Sequence, residues 1–370
     1  MTAGAAESAM AVSTYPPRIL FIRLSAVGDV INTLPALEAL RRGLPEAFIG
    51  YVVEDRAHDL ITRHPSVDRV HLYRRKRWAR YLRQPINWWN MYEEFSTFLH
   101  EIRREQYTVA LDFQGNLKGA MHGLFSGARR RVGFSRGHCK ENNFFFNNEH
   151  VTPPGGTERI NRVEKFLSLV GHLGVPVTSA SYRLPETREG RARVDAFLAS
   201  NGLKGYAAIH PGTSDFGALK RWKPERFAGL AERIGKETGL RPIVTWGPGE
   251  RPLAEEIVAG SRGQALLAME TKNILDLAEI IRSAAIYIGC DSGPLHLSSA
   301  VGTPSVALFG PKDPRTYGPF NPHHRVVLKG ELGQGSMEAI TVDDAFAAVK
   351  DLLDELSRGG FSRTFPSPPG

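Results

Sequence analysis

A carboxylate and a glycine stand together where the first apolar run of this chain ends. The run is followed by Ser25-Ala26-Val27-Gly28-Asp29, and an amphipathic stretch starts directly after it. Gly28 lets another molecule approach the backbone closely, and a carboxylate at a helix N-terminus could accept a proton from a substrate hydroxyl. Asp29 is therefore a candidate general base. The alternative interpretation is that Asp29 only caps the helix.

A second candidate site opens the C-terminal half. The segment HPGT (210–213) ends an apolar run, and the basic cluster KRWKP (220–224) precedes the next amphipathic stretch. This order suits a diphosphate, because Lys220 would place a point charge on the oxygens of a leaving group and Thr213 would lie beside it. Alternatively, Lys220, Arg221 and Lys223 form a solvated surface above a packed Trp222. Both interpretations stay open.

The most specific pattern lies at 286–296, where a buried strand runs directly into Asp291-Ser292-Gly293 and a helix of small residues. The free N–H groups of Ser292, Gly293 and the first helical turn would form an anion site that needs no side-chain charge. Helix capping is the alternative for Asp291. His296 is placed with this group in a structural or supporting role, as a core histidine facing the sheet.

Between these two sites, WGPGE (246–250) ends a strand in a tight turn. Glu250 could reach a ribose hydroxyl, as acidic residues at such strand ends do in nucleotide-binding folds. It could equally be a solvated turn residue.

A basic run at 74–83 contains no acidic residue and is followed by Trp88 and Trp89. Its basic side chains include Arg74, Arg77 and Arg80. Such a segment could bind a phosphorylated lipid at a membrane interface, or RNA. The run is short and no RNP, KH or zinc-knuckle pattern accompanies it, so no nucleic-acid partner is expected.

The alternation of apolar runs and amphipathic stretches predicts parallel sheets wrapped by helices. Strands are predicted at 18–24, 48–53, 69–73, 109–113, 130–134, 206–210, 242–246, 265–267, 286–289 and 305–309. Helices are predicted at 30–42, 57–63, 88–104, 117–125, 159–173, 253–259, 274–283, 295–300 and 342–356. A further helix should start at Pro224 and end before Gly239. The expected α/β fold is a pair of Rossmann-like domains with parallel sheets facing a cleft.

The 370 residues exceed what one ordinary core needs, so two domains are expected. We place a disordered leader at 1–17, an N-terminal Rossmann-like domain at 18–182, a linker at 182–190 and a C-terminal Rossmann-like domain at 191–340. A C-terminal helix at 341–357 and a disordered tail at 358–370 complete the chain. The first seventeen residues do not resemble a signal peptide.

The composition of the chain and the motifs it lacks favour some classes of function over others. The net charge of +8 favours an anionic partner such as a nucleotide or a phosphorylated glycolipid. The two cysteines, Cys139 and Cys290, form neither a CxxC pair nor a zinc pattern. No run reaches the roughly 18 apolar residues of a membrane span. The chain has no D-x-D, no P-loop and no G-x-G-x-x-G after the first strand, which disfavours ATP hydrolysis and hydride transfer.

Together these segments resemble glycosyltransferase family 9, the ADP-heptose:lipopolysaccharide heptosyltransferases. RILFIRLSAVGDVINTLPAL (18–37) is similar to the start of that family, and CDSGPLHLSSAVGTPSVALFGPKDP (290–314) to its C-terminal signature. HPGTSDFGALKRWKPERF (210–227) is similar to its phosphate segment. LDFQGNLKGA (111–120) and ERINRVEKFLSLVGHLG (158–174) resemble parts of its N-terminal half. The pattern around DFQGNLK (112–118) looks closest to heptosyltransferase I.

The resemblance implies a GT-B fold and an inverting, metal-independent transfer without a cofactor. ADP-heptose would be the donor and a Kdo-lipid A glycolipid the acceptor, in the cytoplasm at the inner membrane, with peripheral membrane contact. Asp29 would be the base. The donor-binding residues implied are Thr213, Lys220, Glu250, Asp291, Ser292 and Gly293, with His296 in support. The acceptor-binding residues implied are Ser25, Gly28, Arg74, Arg77, Arg80, Gln114 and Lys118.

Alternatives of other classes remain. One is a nucleotide-sugar enzyme of the same fold with another sugar or acceptor, or a hydrolysing epimerase. Another is a non-catalytic module that binds lipid A or RNA. The joint presence of Asp29, Lys220 and Asp291 argues against a binding module, which needs no base. The segment 142–148 (NNFFFNN) receives no role from the sequence.

Overall fold

The computed structural model describes residues 16–156, 159–177, 179–185, 187–213 and 215–359. The predicted leader and tail therefore fall outside the described residues, apart from positions 16–17 and 358–359. The chain divides after Pro185 into two compact units.

The first unit is built on a six-stranded parallel sheet in the order β3-β2-β1-β4-β5-β6. Its strands are β1 Arg18–Ile22, β2 Phe48–Glu54, β3 Arg69–Tyr73, β4 Val109–Asp112, β5 Arg130–Phe134 and β6 Glu149–Val151. Its helices are α1 Val27–Gly43, α2 His58–Thr62, α3 Arg75–Leu82, α4 Trp88–Arg104, α5 Leu117–Phe125 and α6 Arg162–Gly171.

The second unit repeats this plan with the order β12-β11-β10-β7-β8-β9, again all parallel. Its strands are β7 Tyr206–His210, β8 Arg241–Val244, β9 Leu266–Leu267, β10 Ile286–Cys290, β11 Ser305–Phe309 and β12 His324–Leu328. Its helices are α7 Arg188–Ser200, α8 Pro224–Glu237, α9 Arg251–Gly260, α10 Ile274–Arg282, α11 Gly293–Ala300, α12 Pro314–Tyr317 and α13 Val342–Arg358.

The central strands are apolar because helices cover both faces of each sheet. Ile19, Leu20, Phe21 and Ile22 of β1 are at most 1% exposed. In the second unit, α13 contributes Phe346 and other apolar side chains to the core on β11 and β12. This helix is thus part of the second unit's core.

Five of the elements named above were missing from the sequence prediction: α3, α7, the one-turn helix α12, β6 and β12. Helix α3 lies inside the basic run, where Trp78 is the one buried side chain of the helix. Helix α7 also has few buried residues, and Arg193 ties it to Asp276 at 2.5 Å. Both helices have too narrow an apolar stripe to give a clear period. The missed strands β6 and β12 are edge strands, which apolar runs mark poorly.

The order of strands reverses at one point in each sheet, between β1 and β4 in the first unit and between β7 and β10 in the second. Open α/β sheets bind ligands outside the carboxyl ends of the strands at such a switch point. The loops that follow these four strands are therefore where a functional site is expected. They carry Asp29, Gln114, Lys220 and Asp291.

Candidate functional site

Asp29 lies in the first turn of α1, at the switch point of the first sheet, with its side chain 22% exposed. The capping alternative is wrong, because the N-cap is Ala26 and no side chain caps the helix. The Asp29 carboxylate instead forms ion pairs with Arg23 and Arg162. The two guanidinium groups fix the direction of this carboxylate while leaving part of it accessible.

Arg23 is a buried cation that sequence reasoning missed. Its side chain is 6% exposed, and its Nη1 donates to the carbonyl oxygen of Phe113 at 2.6 Å. Burial lowers the pKa of Arg23, and the charge of Asp29 opposes that effect. Arg23 therefore connects the loop after β1 to the loop after β4.

Gln114 makes a second connection between these two loops. Its Oε1 accepts hydrogen bonds from the backbone N–H groups of Leu24, at 3.0 Å, and Ser25, at 3.4 Å. Ser25 is half-buried and Gly28 is buried at the start of α1. The side-chain carbonyl of Gln114 thus positions the loop that precedes Asp29.

The segment 142–148, which had no role in the sequence, supports this arrangement. Asn143 is fully buried, and its Nδ2 donates to Asp112 Oδ2 at 2.5 Å. Asp112 Oδ1 accepts from the N–H groups of Gln114, at 2.9 Å, and Gly115, at 3.0 Å. Burial raises the pKa of Asp112, and these hydrogen bonds act in the opposite direction. Asn147 in turn donates to Asn143 Oδ1 at 3.0 Å.

The predicted acceptor residues Arg74, Arg77 and Arg80 lie at or on α3. Together with Asp55 and Lys76 they line a surface pocket of about 390 Å³. Arg77 pairs with Glu94 at 2.5 Å. The structure thus brings the three predicted arginines together in one pocket.

Lys118 lies near the N-terminus of α5 and pairs with the buried carboxylate of Glu54. Its Nζ also lies 4.4 Å from the centre of the Tyr73 ring. Arg75 Nη1 is 3.5 Å from the same Glu54 carboxylate. Glu54 therefore connects Lys118 to the start of α3.

Lys220 and Asp291 meet at the switch point of the second sheet, with Nζ and Oδ2 2.5 Å apart. The side chain of Asp291 is 7% exposed and that of Lys220 is 25% exposed. Ser292 is the N-cap of α11, which begins at Gly293, so the capping alternative for Asp291 is wrong. An ammonium group and a helix N-terminus are thus placed side by side, the arrangement that binds anions.

Thr213 is buried and holds the loop that carries Lys220. Its Oγ1 donates to the carbonyl oxygen of Gly217 at 3.0 Å and accepts from Arg221 Nε at 3.0 Å. Trp222 is buried and donates from Nε1 to the carbonyl oxygen of Ile340 at 2.9 Å. In the basic cluster, Arg221 and Lys223 are both exposed, as the solvated-surface alternative expects, whereas Lys220 is 25% exposed in its side chain.

Glu250 accepts a hydrogen bond from the N–H of Gly247 at 2.8 Å, and its Oε2 lies 3.5 Å from His210 Nε2. Burial lowers the pKa of His210, and Glu250 opposes that effect. Gly212 packs against Glu250 so closely that a Cβ there would lie 2.3 Å from the carboxyl group. Glu250 thus closes its own turn beside the loop after β7. His296 is buried in α11, as expected of a core histidine.

No group of three or more His, Cys, Asp or Glu side chains that could hold a metal ion occurs among the described residues. Within the same part of the chain, no helix has the length and apolar character needed to cross a membrane.

Comparison with known proteins gives a consistent result. The model of "glycosyltransferase family 9 (heptosyltransferase)" matches residues 96–340, more than half of the chain. Lipopolysaccharide heptosyltransferase 1 of Pseudomonas aeruginosa is 28% identical over 306 residues, covering 82% of this chain and 81% of that protein. The protein of the same name from Escherichia coli K12 is 26% identical, with coverage of 84% and 92%.

Solved structures are similar over nearly the whole chain. The glycosyl transferase family 9 protein from Veillonella parvula has a TM-score of 0.75 at 23% identity, covering 94% of this chain and 99% of that one. The E. coli heptosyltransferase WaaC with ADP has a TM-score of 0.70 at 23% identity, with coverage of 91% and 99%. The predicted α/β GT-B fold is confirmed by these likenesses and by the two parallel sheets.

Proposed function

Because this chain belongs to glycosyltransferase family 9 and is a glycosyltransferase, we propose that it transfers heptose from ADP-heptose to the Kdo-lipid A inner core of lipopolysaccharide. The names of its relatives support this choice, since the matches in P. aeruginosa and E. coli are lipopolysaccharide heptosyltransferases 1. The chain also covers 81% and 92% of their lengths. Heptosyltransferase I is therefore the subtype we assign.

The donor binds at the second unit. Lys220 and the N-terminus of α11, with the N–H groups of Ser292 and Gly293, neutralise the diphosphate as ADP leaves. Asp291 orients the Lys220 ammonium, and this 2.5 Å contact at the switch point is the observation that carries the proposal. Thr213 and Glu250 hold the surrounding loops, with Glu250 near the ribose. His296 supports the site as a buried residue of α11.

Asp29 acts as the general base in the first unit. It takes the proton from an acceptor hydroxyl, whose oxygen attacks the anomeric carbon of heptose. The bond from that carbon to the β-phosphate oxygen breaks, and ADP leaves with the electron pair. Attack from the face opposite to the leaving group inverts the anomeric centre. Arg23 and Arg162 keep the Asp29 carboxylate in place before the reaction.

The acceptor binds the same unit through its anionic groups. Arg74, Arg77 and Arg80 line a basic pocket that suits phosphates and Kdo carboxylates. Lys118 lies near the start of α3, because Lys118 and Arg75 both contact the carboxylate of Glu54. Gln114 contributes mainly by fixing the loop that carries Ser25 and Gly28, because its carbonyl already bonds to that loop.

This chemistry uses no metal or cofactor in our proposal, since Lys220 and backbone N–H groups supply the positive charge that the leaving diphosphate needs. We place the reaction in the cytoplasm at the inner membrane, because the donor is a soluble nucleotide sugar and the acceptor carries acyl chains. Contact with that membrane is peripheral.

The test is ADP release from ADP-heptose by the purified protein in EDTA, with and without deacylated Kdo-lipid A. Acceptor-dependent release with an inverted product supports the proposal. Binding of ADP without release in either condition would reject this sugar or acceptor. Loss of both ADP binding and release would reject the donor assignment itself. The Asp29→Asn variant is the inactive reference, and Asp59→Asn, an exposed aspartate in the first turn of α2, is its matched control.

A further inference from the structure

Five large apolar side chains are exposed at one place in the first unit, around the turn that joins α3 to α4. We call this group the aromatic tip. Its members and their exposed fractions are Leu82 58%, Ile86 90%, Trp88 57%, Trp89 73% and Tyr92 63%. Among the described residues seven other large apolar side chains are exposed, and they are scattered over the two units. A cluster of this kind on a folded protein marks an interaction surface.

The aromatic tip is not needed to hold α4 on the unit. The inner face of α4 packs Phe95, Phe98 and Ile102 into the core with Trp78 of α3. Trp89 and Tyr92 project elsewhere and contact each other, with ring centres 5.7 Å apart. The helix therefore has a second apolar region at its N-terminal end that the fold leaves in solvent.

The surroundings of the aromatic tip are strongly basic. No acidic residue occurs between positions 74 and 92. Arg75 and Arg77 have carboxylate partners, Glu54 and Glu94. For Arg74, Lys76, Arg80 and Arg83 the described residues provide no ion pair, and all four are exposed. The positive charge beside the tip favours an anionic partner.

We propose that the aromatic tip inserts into the interfacial layer of an anionic lipid bilayer, with the neighbouring arginines on the lipid phosphates. Tryptophan and tyrosine are enriched at that depth of membranes, and basic residues are attracted to anionic leaflets. Exposed tryptophans beside unpaired basic side chains are the combination that suits an anionic membrane interface, and this favours a lipid surface over a protein partner. The inference rests on the proposed function in one respect, since a lipid-linked acceptor must be reached at a membrane.

Binding to vesicles tests the proposal directly with the full chain. Vesicles of phosphatidylcholine alone are compared with vesicles enriched in phosphatidylglycerol, by co-sedimentation and by tryptophan fluorescence. Trp78 and Trp222 are buried and Trp246 is half-buried, so the exposed Trp88 and Trp89 should contribute most of the change caused by a membrane. We expect binding only to the anionic vesicles, a blue shift of emission, and quenching by lipids brominated near the headgroup end of their acyl chains.

Three variants locate the surface. Trp88→Ser/Trp89→Ser should weaken partitioning by about ten-fold or more, because two large apolar groups are lost. Arg83→Glu should weaken it by about five-fold or more. Phe145→Ala removes an aromatic side chain that is 75% exposed on the same unit and should leave partitioning unchanged. Circular dichroism checks that each variant is folded.

Failure of the membrane proposal can be distinguished from failure of the proposed function. ADP release with a deacylated acceptor should be unchanged in Trp88→Ser/Trp89→Ser, whereas release with vesicle-embedded Kdo-lipid A should fall. Equal vesicle binding by this variant and the parent would overturn the membrane assignment. So would binding of the parent to an RNA oligonucleotide but not to anionic vesicles. Self-association through the tip, seen as a dimer that the double variant abolishes without vesicle binding, would also overturn it.

Discussion

Lys220 and Asp291 are 71 positions apart in the sequence, yet Nζ of the lysine lies 2.5 Å from Oδ2 of the aspartate. Each residue follows one of the two strands that flank the switch point of the second sheet. An ammonium group has three donors, and Asp291 occupies one of them. A quarter of the Lys220 side chain is exposed, so the ammonium can bind a phosphate while Asp291 orients it.

Replacement of Lys220 should therefore weaken donor binding. We expect Lys220→Ala to raise the dissociation constant of ADP about ten-fold or more, the loss of a charge-assisted hydrogen bond, and to lower turnover as well. Isothermal titration with ADP measures the first effect. Lys223→Ala, a neighbouring lysine whose side chain is 55% exposed, is the control and should bind ADP as the parent does. Unchanged affinity in Lys220→Ala would exclude Lys220 from the phosphate site.

Asp29→Asn should abolish proton abstraction while keeping the shape of the side chain. We expect a loss of at least about 100-fold in turnover, the usual contribution of a general base, with ADP affinity unchanged. Steady-state release of ADP and titration with ADP separate the two effects. If the variant turned over at a near-normal rate, another group would have to be the base. A parallel loss of ADP affinity would instead indicate a structural role.

The sequence predicted the alternation of strands and helices because each element is marked by residues that are close together in the chain. β3, β5, β7 and β11 have the bounds that were predicted from apolar runs, and α4 and α5 also match. Pro224 begins α8, as a proline at the first helical position should. Each of these elements can be recognised from a short stretch of consecutive residues.

The supporting contacts of the site could not be predicted because they join distant positions. Arg162 is 133 positions from Asp29, and Asn143 is 31 positions from Asp112. No periodicity or motif links such pairs, which meet only when the sheet is assembled. The amide-rich segment 142–148 did carry a signal, since asparagines beside a phenylalanine run suggest buried hydrogen bonds. Only the structure shows which groups these asparagines bond to.

Asn143→Leu should destabilise the first unit and slow transfer. The variant removes a hydrogen bond from the buried carboxyl group of Asp112, which we expect to cost about 1–3 kcal/mol in the free energy of unfolding. The loop that carries Gln114 loses its anchor, so turnover should fall more than ADP affinity. Urea denaturation and ADP release measure the two effects. Asn90→Leu, an exposed amide on α4, should change stability by less than about 0.5 kcal/mol.

Lys165 should give the protein an alkaline pH dependence of stability. Burial lowers the pKa of this lysine to about 8, and its Nζ donates to the carbonyl oxygen of His138 at 2.6 Å. The folded protein thus binds this proton more weakly than the unfolded chain, whose lysine pKa is about 10.4. The free energy of unfolding should rise as the pH rises from about 8 to about 10.4.

Comparison with Lys165→Met isolates that contribution, because methionine keeps much of the volume without a titrating group. Relative to the variant, the parent should gain about 2 kcal/mol between pH 8 and pH 10. Urea denaturation at several pH values measures the difference. A stability difference that stays constant over this range would mean that Lys165 titrates alike in the folded and unfolded states.

A side chain at position 212 should displace Glu250, because the backbone of Gly212 lies against that carboxyl group. A Cβ at position 212 would be 2.3 Å from the Glu250 carboxyl group, so the end of this flexible side chain must move away. Gly212→Ala should therefore release the hydrogen bond between Glu250 and the N–H of Gly247, cost no more than about 1 kcal/mol of stability and weaken ADP binding. Gly171→Ala is the control, since a Cβ there would make an ordinary 3.6 Å contact with Val177. If displacement of Glu250 is the cause, the double variant Gly212→Ala/Glu250→Ala should bind ADP as Glu250→Ala alone does. A double variant that binds ADP more weakly than either single variant would show that Gly212 acts through something other than Glu250.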